Sequence, residues 1–542
     1  MPTVADLIAC SLREAGVHTL FGVPGGGSNL DIIAAAGRAG LPFVLTSTET
    51  AAALSAIAQA EITGRPGACL TTLGPGVASV VNGVACAFLD RAPVVVFTDS
   101  HPAAAAGAFE HQRLDQAALL APITKSSATV TTDGVSQVLA CAMRTTSAYP
   151  RGPVHLECPG EVASAEADPL RRSPSSGPAG FVLRQSERTN TRVEWLALSD
   201  ILVHARKPLA LVGLGARRPE DASAIRSLCG RRHVPAMVTY KAKGVVPDSH
   251  EWFAGVFTNA AIEHSVIDES DVLIGIGLDP VELLPRRWKH EQPIVYMGPW
   301  TVEDTHVPFA AQIVAEIPDG AEKLAALLPV SDWESKLLRQ RVTEQQQRVS
   351  IATSGLAAHR VVQIAAAGLA SRVGRVTIDA GAHMLPATML WPVNEPNHLL
   401  ISNGLSTMGF ALPAAIGAAL LDRSRQVVAL TGDGGLLMCL GELLTAVRLK
   451  LGIIVIVFSD ASLSLIEIKQ QARQFQTEGV ALGAIDWPSL AASFGVRGWV
   501  VSDEAELERV VDEAFTCDGP SLIEAKIDRS NYGATLRAVR GA

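Results

Sequence analysis

The feature that most constrains the fold of this chain is the repeated alternation of short apolar segments with longer, alanine-rich segments of helical character. Near the N-terminus the apolar segments 43–45, 67–70 and 92–97 stand between such helical stretches. Strands that alternate with helices are typical of a mostly parallel sheet covered by helices on both faces. The alternation returns in the middle and last thirds of the 542-residue chain. We therefore predict an α/β protein with three doubly wound, mostly parallel-sheet domains.

Changes in composition suggest where these domains meet. The first domain is expected at 1–162, because 163–190 is rich in Pro, Ser and Gly and reads as an extended linker. The central domain is predicted at 191–330 and the third domain at 356–542. The segment 331–355 is charged and Gln-rich, and we expect a solvated helical linker there, starting near Trp333.

Charge and hydropathy exclude several classes of function. The net charge of −9 comes without any stripe of basic and aromatic residues, which argues against nucleic acid as a partner and for small-molecule substrates. No apolar stretch approaches the ~20 residues that a membrane-spanning helix needs. The N-terminal residues do not resemble a secretory signal, so we expect a cytoplasmic protein.

Two acidic residues follow two apolar strands in the third domain. The strand beginning at Gln426 leads into Gly432-Asp433-Gly434-Gly435 and a helical segment through Lys450, and a second strand leads into Ser459-Asp460. Strand ends of this kind form the ligand crevice of an open α/β sheet, and glycines before a helix let N–H groups approach a phosphate. Asp433 and Asp460 would repel a diphosphate unless a divalent cation lay between them, so we predict Mg²⁺. The alternative is a turn-capping Asp-Gly and an unrelated surface Asp.

The arrangement of strand, Gly-Asp-Gly, helix and strand resembles the thiamine diphosphate (ThDP) fingerprint of the 2-oxo-acid decarboxylase and acetolactate synthase superfamily. The second Asp lies 27 positions after the first. The resemblance implies three metal ligands, which are Asp433, Asp460 and the backbone carbonyl of Ser462. It also implies that Gly432, Gly434 and Gly435 contact the cofactor. The family usually has Asn-Asn where this chain has Ser459-Asp460, which adds a negative charge.

Two glycine turns in the first domain resemble the same family. They are Phe21-Gly-Val-Pro-Gly-Gly, which contains Pro24 and Gly26, and Leu73-Gly74-Pro-Gly. The resemblance places Pro24 and Gly74 at the cofactor and Gly26 at the reacting centre. Glu49 lies between the turns, and the matching Glu of the family contacts N1′ of the cofactor's aminopyrimidine ring. A Glu after a short strand is otherwise a solvated loop residue.

Further segments carry the resemblance along the chain. His111-Gln112 resembles the segment that brings a Gln to the reacting carbon, although His111 also suits a purely structural hydrogen bond. Gly381-Ala382-His383 resembles the Gly-Gln-His turn beside the diphosphate, with Ala382 in place of Gln.

The segment from Asn403 to Phe410 resembles the family segment that separates the two rings of the cofactor. The resemblance implies that Met408 wedges between the rings and that the Ser406 carbonyl accepts from the 4′-amino group. An ordinary core methionine is the alternative for Met408.

The resemblance implies a C–C bond lyase or carboligase that acts on a small 2-oxo acid or related carbonyl compound. Two proton relays of other branches are missing: the paired histidine of pyruvate decarboxylase-like members, and the Ser that benzoylformate decarboxylase-like members have in place of Gly26. Benzaldehyde lyase-like members have a His in place of Gly27, so that branch is also disfavoured. Lys469 stands nine positions after Asp460, where biosynthetic acetolactate synthases have a Trp. If it faces the pocket it favours an acidic or phosphorylated substrate, and if it points to solvent it says nothing about the substrate.

Several alternatives remain open at this stage. The activity could be that of a 2-oxo-acid decarboxylase, a 2-hydroxyacyl-CoA lyase or a carboxyethylarginine synthase-like enzyme, and Ser459, Asp460 and Ala382 would also suit an inactive cofactor-binding relative. Central domains of relatives hold FAD or ADP or are empty, and Gly213-Leu-Gly215 lacks the third glycine of a dinucleotide fingerprint, so we treat it as a structural turn. Family membership further implies a homodimer or a dimer of dimers with shared active sites.

Overall fold

The computed structural model describes residues 1–102, 110–170, 191–303 and 306–541. Its first helix begins with a capping box, in which the Thr3 hydroxyl accepts from the N–H of Asp6 at 3.1 Å. The N-terminal helices are α1 Val4–Glu14, α2 Ser28–Arg38, α3 Glu49–Thr63, α4 Pro75–Leu89, α5 Gln116–Leu120, α6 Val135–Ser147 and α7 Gly160–Ala163. The strands are β1 Leu20–Val23, β2 Phe43–Leu45, β3 Gly67–Thr71, β4 Val94–Ser100, β5 Ser126–Thr129 and β6 Val154–Pro159.

The N-terminal strands form one parallel six-stranded sheet in the order β2-β1-β3-β4-β6-β5. The middle strands, such as β3, are buried along their whole length, as parallel strands with helices on both faces must be. The apolar core beneath the sheet includes Phe97, Leu20 and Leu156, each fully buried.

The middle of the chain forms a second sheet of six parallel strands. Its strands are β7 Pro208–Val212, β8 Ala236–Val238, β9 Phe253–Val256, β10 Val272–Ile276, β11 Ile294–Gly298 and β12 Phe309–Val314. The helices are α8 Thr191–Leu202, α9 Pro219–Arg232, α10 His264–Ile267, α11 Ile317–Leu327 and α12 Ser335–Val349. The order β12-β11-β10-β7-β8-β9 is the doubly wound order of dinucleotide-binding sheets.

The last third of the chain forms a third parallel sheet. Its strands are β13 Gly374–Ile378, β14 Leu399–Ile401, β15 Gln426–Gly432, β16 Ile453–Ser459, β17 Arg497–Val501 and β18 Ser521–Lys526, in the order β14-β13-β15-β16-β18-β17. The helices are α13 Ala358–Ala370, α14 Met384–Leu390, α15 Ala411–Leu421, α16 Asp433–Cys439, α17 Glu442–Arg448, α18 Ser464–Ala472, α19 Trp487–Ser493, α20 Glu504–Ala514 and α21 Tyr532–Arg540.

The three sheets confirm the predicted fold class. Counted within each domain, the first and third sheets have the same strand order, while the central sheet differs from both. The sequence predicts one helical segment between the Gln426 strand and Lys450. The structure has two helices there, α16 and α17, with a break before Glu442. Trp333 precedes the linker helix α12 and is buried. Its ring N–H donates to the Pro208 carbonyl at 2.9 Å. The exact domain boundaries stay a prediction.

The chain divides into two compact units that cut across the order of the sequence. One unit comprises Met1–Gln185, Gly404–Ser424 and Cys439–Ile453, and the other comprises Ser186–Asn403, Arg425–Met438 and Ile454–Ala542. The N-terminal sheet therefore shares its unit with helices α15 and α17. In the part of the chain that the structure describes, no helix is long and apolar enough to cross a membrane.

Close backbone packing joins α3 to α15 within the first unit. The Ser55 hydroxyl donates to the Pro413 carbonyl at 2.8 Å, and the Gln59 amide donates to the Gly417 carbonyl at 3.1 Å. A Cβ atom at Gly417 would lie 2.3 Å from the Ser55 carbonyl oxygen, which is too close for any side chain. Gly417 therefore allows the two helices to approach.

We expect Gly417→Ala to destabilise the protein by about 1–3 kcal/mol, because the added methyl forces α15 away from α3. The matched control is Gly37→Ala, since Gly37 lies in α2 and no described residue outside its own stretch of helix comes within 4 Å of its Cβ position. That change should stabilise the fold by ~0.4–1 kcal/mol, by restricting the unfolded chain. Chemical denaturation of both variants checks the opposite signs, and equal effects would contradict the packing argument.

Candidate active site

Two carboxylates meet where the neighbouring strands β15 and β16 end. Asp433 is the first residue of α16 and only 4% exposed, and Asp460 follows β16 directly. Asp433 Oδ2 accepts from the N–H of Asp460 at 3.1 Å and of Ala461 at 2.7 Å, while Oδ1 accepts from the N–H of Gly434 at 2.8 Å. The structure therefore brings the two predicted metal ligands together.

Burial makes this pair of carboxylates electrostatically costly. Burial raises the pKa of Asp460 to about 6, with a further contribution from the negative charge of Asp433. Burial likewise raises the pKa of Asp433, against the backbone N–H groups that favour its ionised form. A cation between the two groups would favour the ionised form of both.

The segment after Asp460 is held by a local network. Asp460 Oδ1 accepts from the N–H of Ser462 at 3.0 Å, and Oδ2 accepts from the hydroxyl of Ser464 at 2.6 Å. The Ser462 hydroxyl donates to Glu467 at 2.7 Å, and Glu467 is also paired with Arg529 at 2.5 Å. Lys469, in α18, is exposed.

Asp379 packs against the glycine turn, and the sequence patterns above do not predict this role. It is fully buried at the end of β13, and its Oδ2 accepts from the Thr431 hydroxyl at 2.9 Å. A Cβ atom at Gly435 would lie 2.6 Å from the same oxygen, so only glycine fits there. An acidic residue directly after the short β-branched run Val376-Thr-Ile was the signal that could have identified it.

His383 lies beside the same turn in a neutral state. Burial lowers its pKa to about 4, so its ring is uncharged at pH 7. The ring stacks on Phe458 with centroids 4.9 Å apart, and its buried Nε2 atom has no hydrogen-bond partner among the described residues. A Cβ at Gly432 would lie 3.6 Å from this ring. A buried, unpaired nitrogen beside a glycine turn suits a polar ligand.

These residues fit a magnesium diphosphate in their chemistry. Mg²⁺ prefers oxygen ligands and keeps several water molecules, so it rarely needs a full protein cage. Within the described residues, no cluster of three or more His, Cys, Asp and Glu side chains is placed to hold a metal. The pair Asp433 and Asp460 would therefore rely on a backbone carbonyl and on the phosphates themselves.

Glu49 begins α3 in the first compact unit. The Thr48 hydroxyl caps this helix by accepting from the N–H of Ala51 at 3.1 Å, which fixes the backbone at Glu49. The Glu49 side chain is half-buried, and a Cβ at Gly76 would lie 3.2 Å from its Oε1. The structure thus brings Glu49 to the second glycine turn.

Gln112 also contacts that turn. Gly74 has a φ of 63°, and a Cβ there would lie 2.7 Å from the Gln112 carbonyl oxygen. His111 and Gln112 are both exposed, and the His111 carbonyl is 3.0 Å from Nε2 of His101. His111 thus makes a backbone contact with a neighbouring ring.

The first glycine turn is open on one side and closed on the other. Pro24 and Gly26 are exposed, and in the described part of the chain no atom beyond the adjoining residues lies within 4 Å of a Cβ at Gly26. A Cβ at Gly27 would lie 2.0 Å from the carboxylate of Asp99. Asp99 also accepts from the hydroxyl of Ser28 at 3.1 Å, so the turn tolerates a side chain at Gly26 but not at Gly27.

Strained backbone marks three of the predicted segments. Gln112, Ser406 and Ala461 have φ values of 56°, 54° and 58°, a region that side chains other than glycine seldom adopt. Ser406 is exposed and Met408 is half-buried, so Met408 does not belong to the fully buried core. Such strain often accompanies functional sites.

The central domain does not fit a dinucleotide at its glycine turn. The N–H of Leu214, which would face a pyrophosphate, already donates to the buried carboxylate of Glu282 at 2.8 Å. A Cβ at Gly215 would lie 2.8 Å from the ring of Trp300. A carboxylate and an indole at this turn oppose the FAD or ADP that relatives can hold there.

Comparison with known proteins agrees with this geometry. Residues 2–119 match the family described as thiamine pyrophosphate enzyme, N-terminal TPP binding domain, residues 197–324 match its central domain, and residues 379–525 match its C-terminal TPP binding domain. Thiamine pyrophosphate is another name for ThDP. The three matches follow the order that the sequence resemblance implied.

The chain is also similar to named enzymes over nearly its whole length. It is 30% identical to the catabolic acetolactate synthase of Raoultella terrigena, with 97% of this chain and 95% of that protein covered. It is 29% identical to the acetolactate synthase of Bacillus subtilis (strain 168), with 97% and 93% covered. For the acetolactate synthase isozyme 2 large subunit of Escherichia coli (strain K12) the identity is 28%, with 97% and 95% covered. The suspected resemblance is confirmed, and this chain belongs to the thiamine pyrophosphate enzyme family.

Proposed function

We propose that this ThDP-dependent enzyme is an acetolactate synthase-like carboligase that also requires Mg²⁺. Its donor would be a small 2-oxo acid and its acceptor a second carbonyl compound. End-to-end similarity to acetolactate synthases carries this proposal. The paired carboxylates after β15 and β16 support the need for a divalent cation, since an anionic diphosphate would otherwise be repelled.

The residues of the third domain would bind the diphosphate end of the cofactor. We assign the metal to Asp433, Asp460 and the Ser462 carbonyl. The backbone of the glycine turn and the unpaired Nε2 of His383 would contact the phosphates; the glycines are Gly432, Gly434 and Gly435. Bound ThDP supplies an electron sink for breaking and making bonds next to a carbonyl carbon.

The first domain would supply the residues at the aminopyrimidine and at the reacting centre. Glu49 would hydrogen-bond N1′, while the glycine turns at Pro24 and Gly74 would line the ring. Gln112 would line the substrate side of the active site, and His111 would contribute there through its backbone. Ser406 and Met408, in the segment before α15, would hold the pyrimidine and wedge between the two rings.

The open space at Gly26 favours carboligation over simple decarboxylation. No other described residue of this chain, apart from the adjoining ones, comes within 4 Å of its Cβ site, so the chain itself leaves room there for a second substrate. Asp99 blocks any side chain at Gly27, which leaves that position without a proton relay. Without a relay group the reacting carbon is protonated slowly, so a second carbonyl compound can react with it first.

We further propose that active sites are shared between subunits of a homodimer or a dimer of dimers. Glu49 of one subunit would face the cofactor held by Asp433 and Asp460 of another. Small-molecule substrates would be its other partners, with neither nucleic acid nor a membrane involved.

Product analysis tests the reaction itself. Purified enzyme with ThDP, Mg²⁺ and pyruvate should release CO₂ and form acetolactate, with one acetolactate for each CO₂. Mass spectrometry of the products checks this ratio, and other 2-oxo acids and 2-hydroxyacyl compounds complete the panel. Release of free aldehyde at the same rate as CO₂ would contradict carboligation.

Glu49→Gln should lower turnover by about 10²- to 10⁴-fold, because the amide cannot take the proton-transfer role of a carboxylate. Its thermal unfolding and ThDP affinity should stay close to those of the unchanged enzyme. Steady-state kinetics and calorimetric binding measure both quantities. Full activity of the variant would remove the proposed role of Glu49.

The same variant tests the shared site when it is mixed with Asp433→Ala subunits. Each variant alone should be inactive, while reassembled mixed oligomers should regain part of the activity, since one site then receives both intact residues. No recovery after verified subunit exchange would place both residues in a site within one subunit.

Asp460→Ala should raise the Mg²⁺ concentration needed for half-maximal ThDP binding by at least about tenfold, because a direct oxygen ligand is lost. Asp486→Ala is the control. Asp486 is exposed and caps helix α19 in the same domain, so its substitution should leave the Mg²⁺ dependence unchanged. Titration of ThDP binding with Mg²⁺ reads both variants. Metal-independent ThDP binding by the unchanged enzyme would refute the ligand assignment.

A further inference from the structure

A buried carboxylate holds the segment that leads into Glu49. Glu442, at the start of α17, is fully buried, and its Oε1 accepts from the N–H of Ser47 at 2.9 Å and of Thr48 at 3.2 Å. Ser47 lies 395 positions earlier in the chain. These two N–H groups directly precede the predicted catalytic Glu49, so Glu442 fixes the backbone that delivers it.

Two neighbours of Glu442 contact the same segment. A Cβ at Gly441 would lie 2.9 Å from both Cβ and Oγ of Ser47, so the absence of a side chain there allows the approach. Arg448, at the other end of α17, donates to the Leu45 carbonyl at 2.5 Å. Residues at both ends of α17 therefore contact the chain between the end of β2 and the start of α3.

A second buried carboxylate makes the corresponding contact in the opposite direction. Asp90, which follows α4, is fully buried, and its Oδ1 accepts from the N–H of Gly404 at 2.7 Å. A Cβ at Gly404 would lie 2.8 Å from the Leu89 carbonyl oxygen. Gly404 opens the segment that carries Ser406 and Met408.

The two contacts are equivalent because the first and third sheets share one strand order. The segments they hold both connect the second strand of a sheet to the next helix, β2 to α3 and β14 to α15. Asp90 and Glu442 both lie between the third and fourth strands of their sheets, β3 to β4 and β15 to β16. The third domain thus holds the predicted cofactor-facing segment of the first domain, and the first domain holds that of the third.

We propose that Glu442 and Asp90 are a reciprocal pair of positioning residues that hold the Glu49 segment and the Ser406–Met408 segment in place. This inference rests on the proposed roles of those residues at the cofactor. A catalytic carboxylate must be held within about 0.5 Å of its working position, which an exposed segment such as Ser47-Thr48 does not achieve alone. Hydrogen bonds from N–H groups to a carboxylate are strong enough to hold it.

The first readout is local and needs no cofactor. Glu442→Ala should expose the Ser47 and Thr48 N–H groups, so hydrogen–deuterium exchange of a peptide spanning residues 45–49 should accelerate at least about tenfold in the apoenzyme. Asp90→Ala should do the same for a peptide that spans residues 400–408 and therefore retains the Gly404 amide. Glu442→Gln keeps an acceptor oxygen and should restore protection.

The second readout is the deuterium exchange of the C2 proton of bound ThDP, followed by NMR after acid quenching. Glu442→Ala and Asp90→Ala should slow it by about 10- to 100-fold at saturating ThDP, because the cofactor-facing groups are displaced. Glu442→Gln should exchange near the normal rate. Glu442→Asp keeps the charge but withdraws the oxygen by one methylene, and should behave like Glu442→Ala; it replaces that variant if the alanine protein does not fold.

Glu263→Ala is the matched control. Glu263 is also buried and accepts from the N–H groups of Thr258 and Ala260, at 2.5 and 2.9 Å, but it lies in the central domain. Its loss should lower the unfolding temperature as much as the loss of Glu442 does, without changing either exchange rate in the held segments. Equal slowing of C2 exchange by Glu263→Ala would overturn the proposal, since general destabilisation would explain it.

Glu49→Gln separates this proposal from the proposed function. If Glu49→Gln slows C2 exchange while Glu442→Ala and Asp90→Ala do not, the positioning role is wrong and the role of Glu49 stands. If Glu49→Gln leaves C2 exchange unchanged, the proposed role of Glu49 is wrong, and the positioning role that rests on it is wrong as well. Slow exchange in all three variants, with normal exchange in Glu442→Gln, supports the pair.

Discussion

The burial of two carboxylates at the ends of neighbouring parallel strands is the constraint on which the rest of this site depends. Asp433 and Asp460 approach closely enough that one accepts a hydrogen bond from the backbone of the other, and burial raises the pKa of both. Such a pair persists only if its surroundings compensate for it. Backbone N–H groups provide part of this compensation, and a bound cation would provide the remainder.

The scaffold supplies this site by repetition. Along the chain, the first and third sheets share one strand order and the central sheet has another, and the segments that carry the predicted site residues fall at corresponding connections of the first and third sheets. Close helix contacts through Gly417 and buried carboxylates such as Glu442 join segments of the first and third domains within one compact unit. The central domain, by contrast, uses its own Glu282 at the turn where related folds bind nucleotides.

Much of this could be predicted from the sequence, because the signals are local. The alternation of strands and helices, the capping box at Thr3 and the Gly-Asp-Gly turn each depend on residues a few positions apart. Other features could not. The strand Phe253–Val256 is short and was not predicted, and Trp333 was placed in a solvated helix although the core of the central sheet buries it. Distant residues determine both outcomes.

The sequence by itself determined the α/β class, the family and the residue types available for a magnesium diphosphate site, since these follow from patterns and spacings within short segments. Only the tertiary structure decided which side chains support that site. Asp379 beneath the glycine turn, Asp99 against Gly27 and Glu442 beneath Ser47 are each separated from the groups they hold by tens to hundreds of positions. Folding alone brings such groups within hydrogen-bonding distance, so no local pattern announces them.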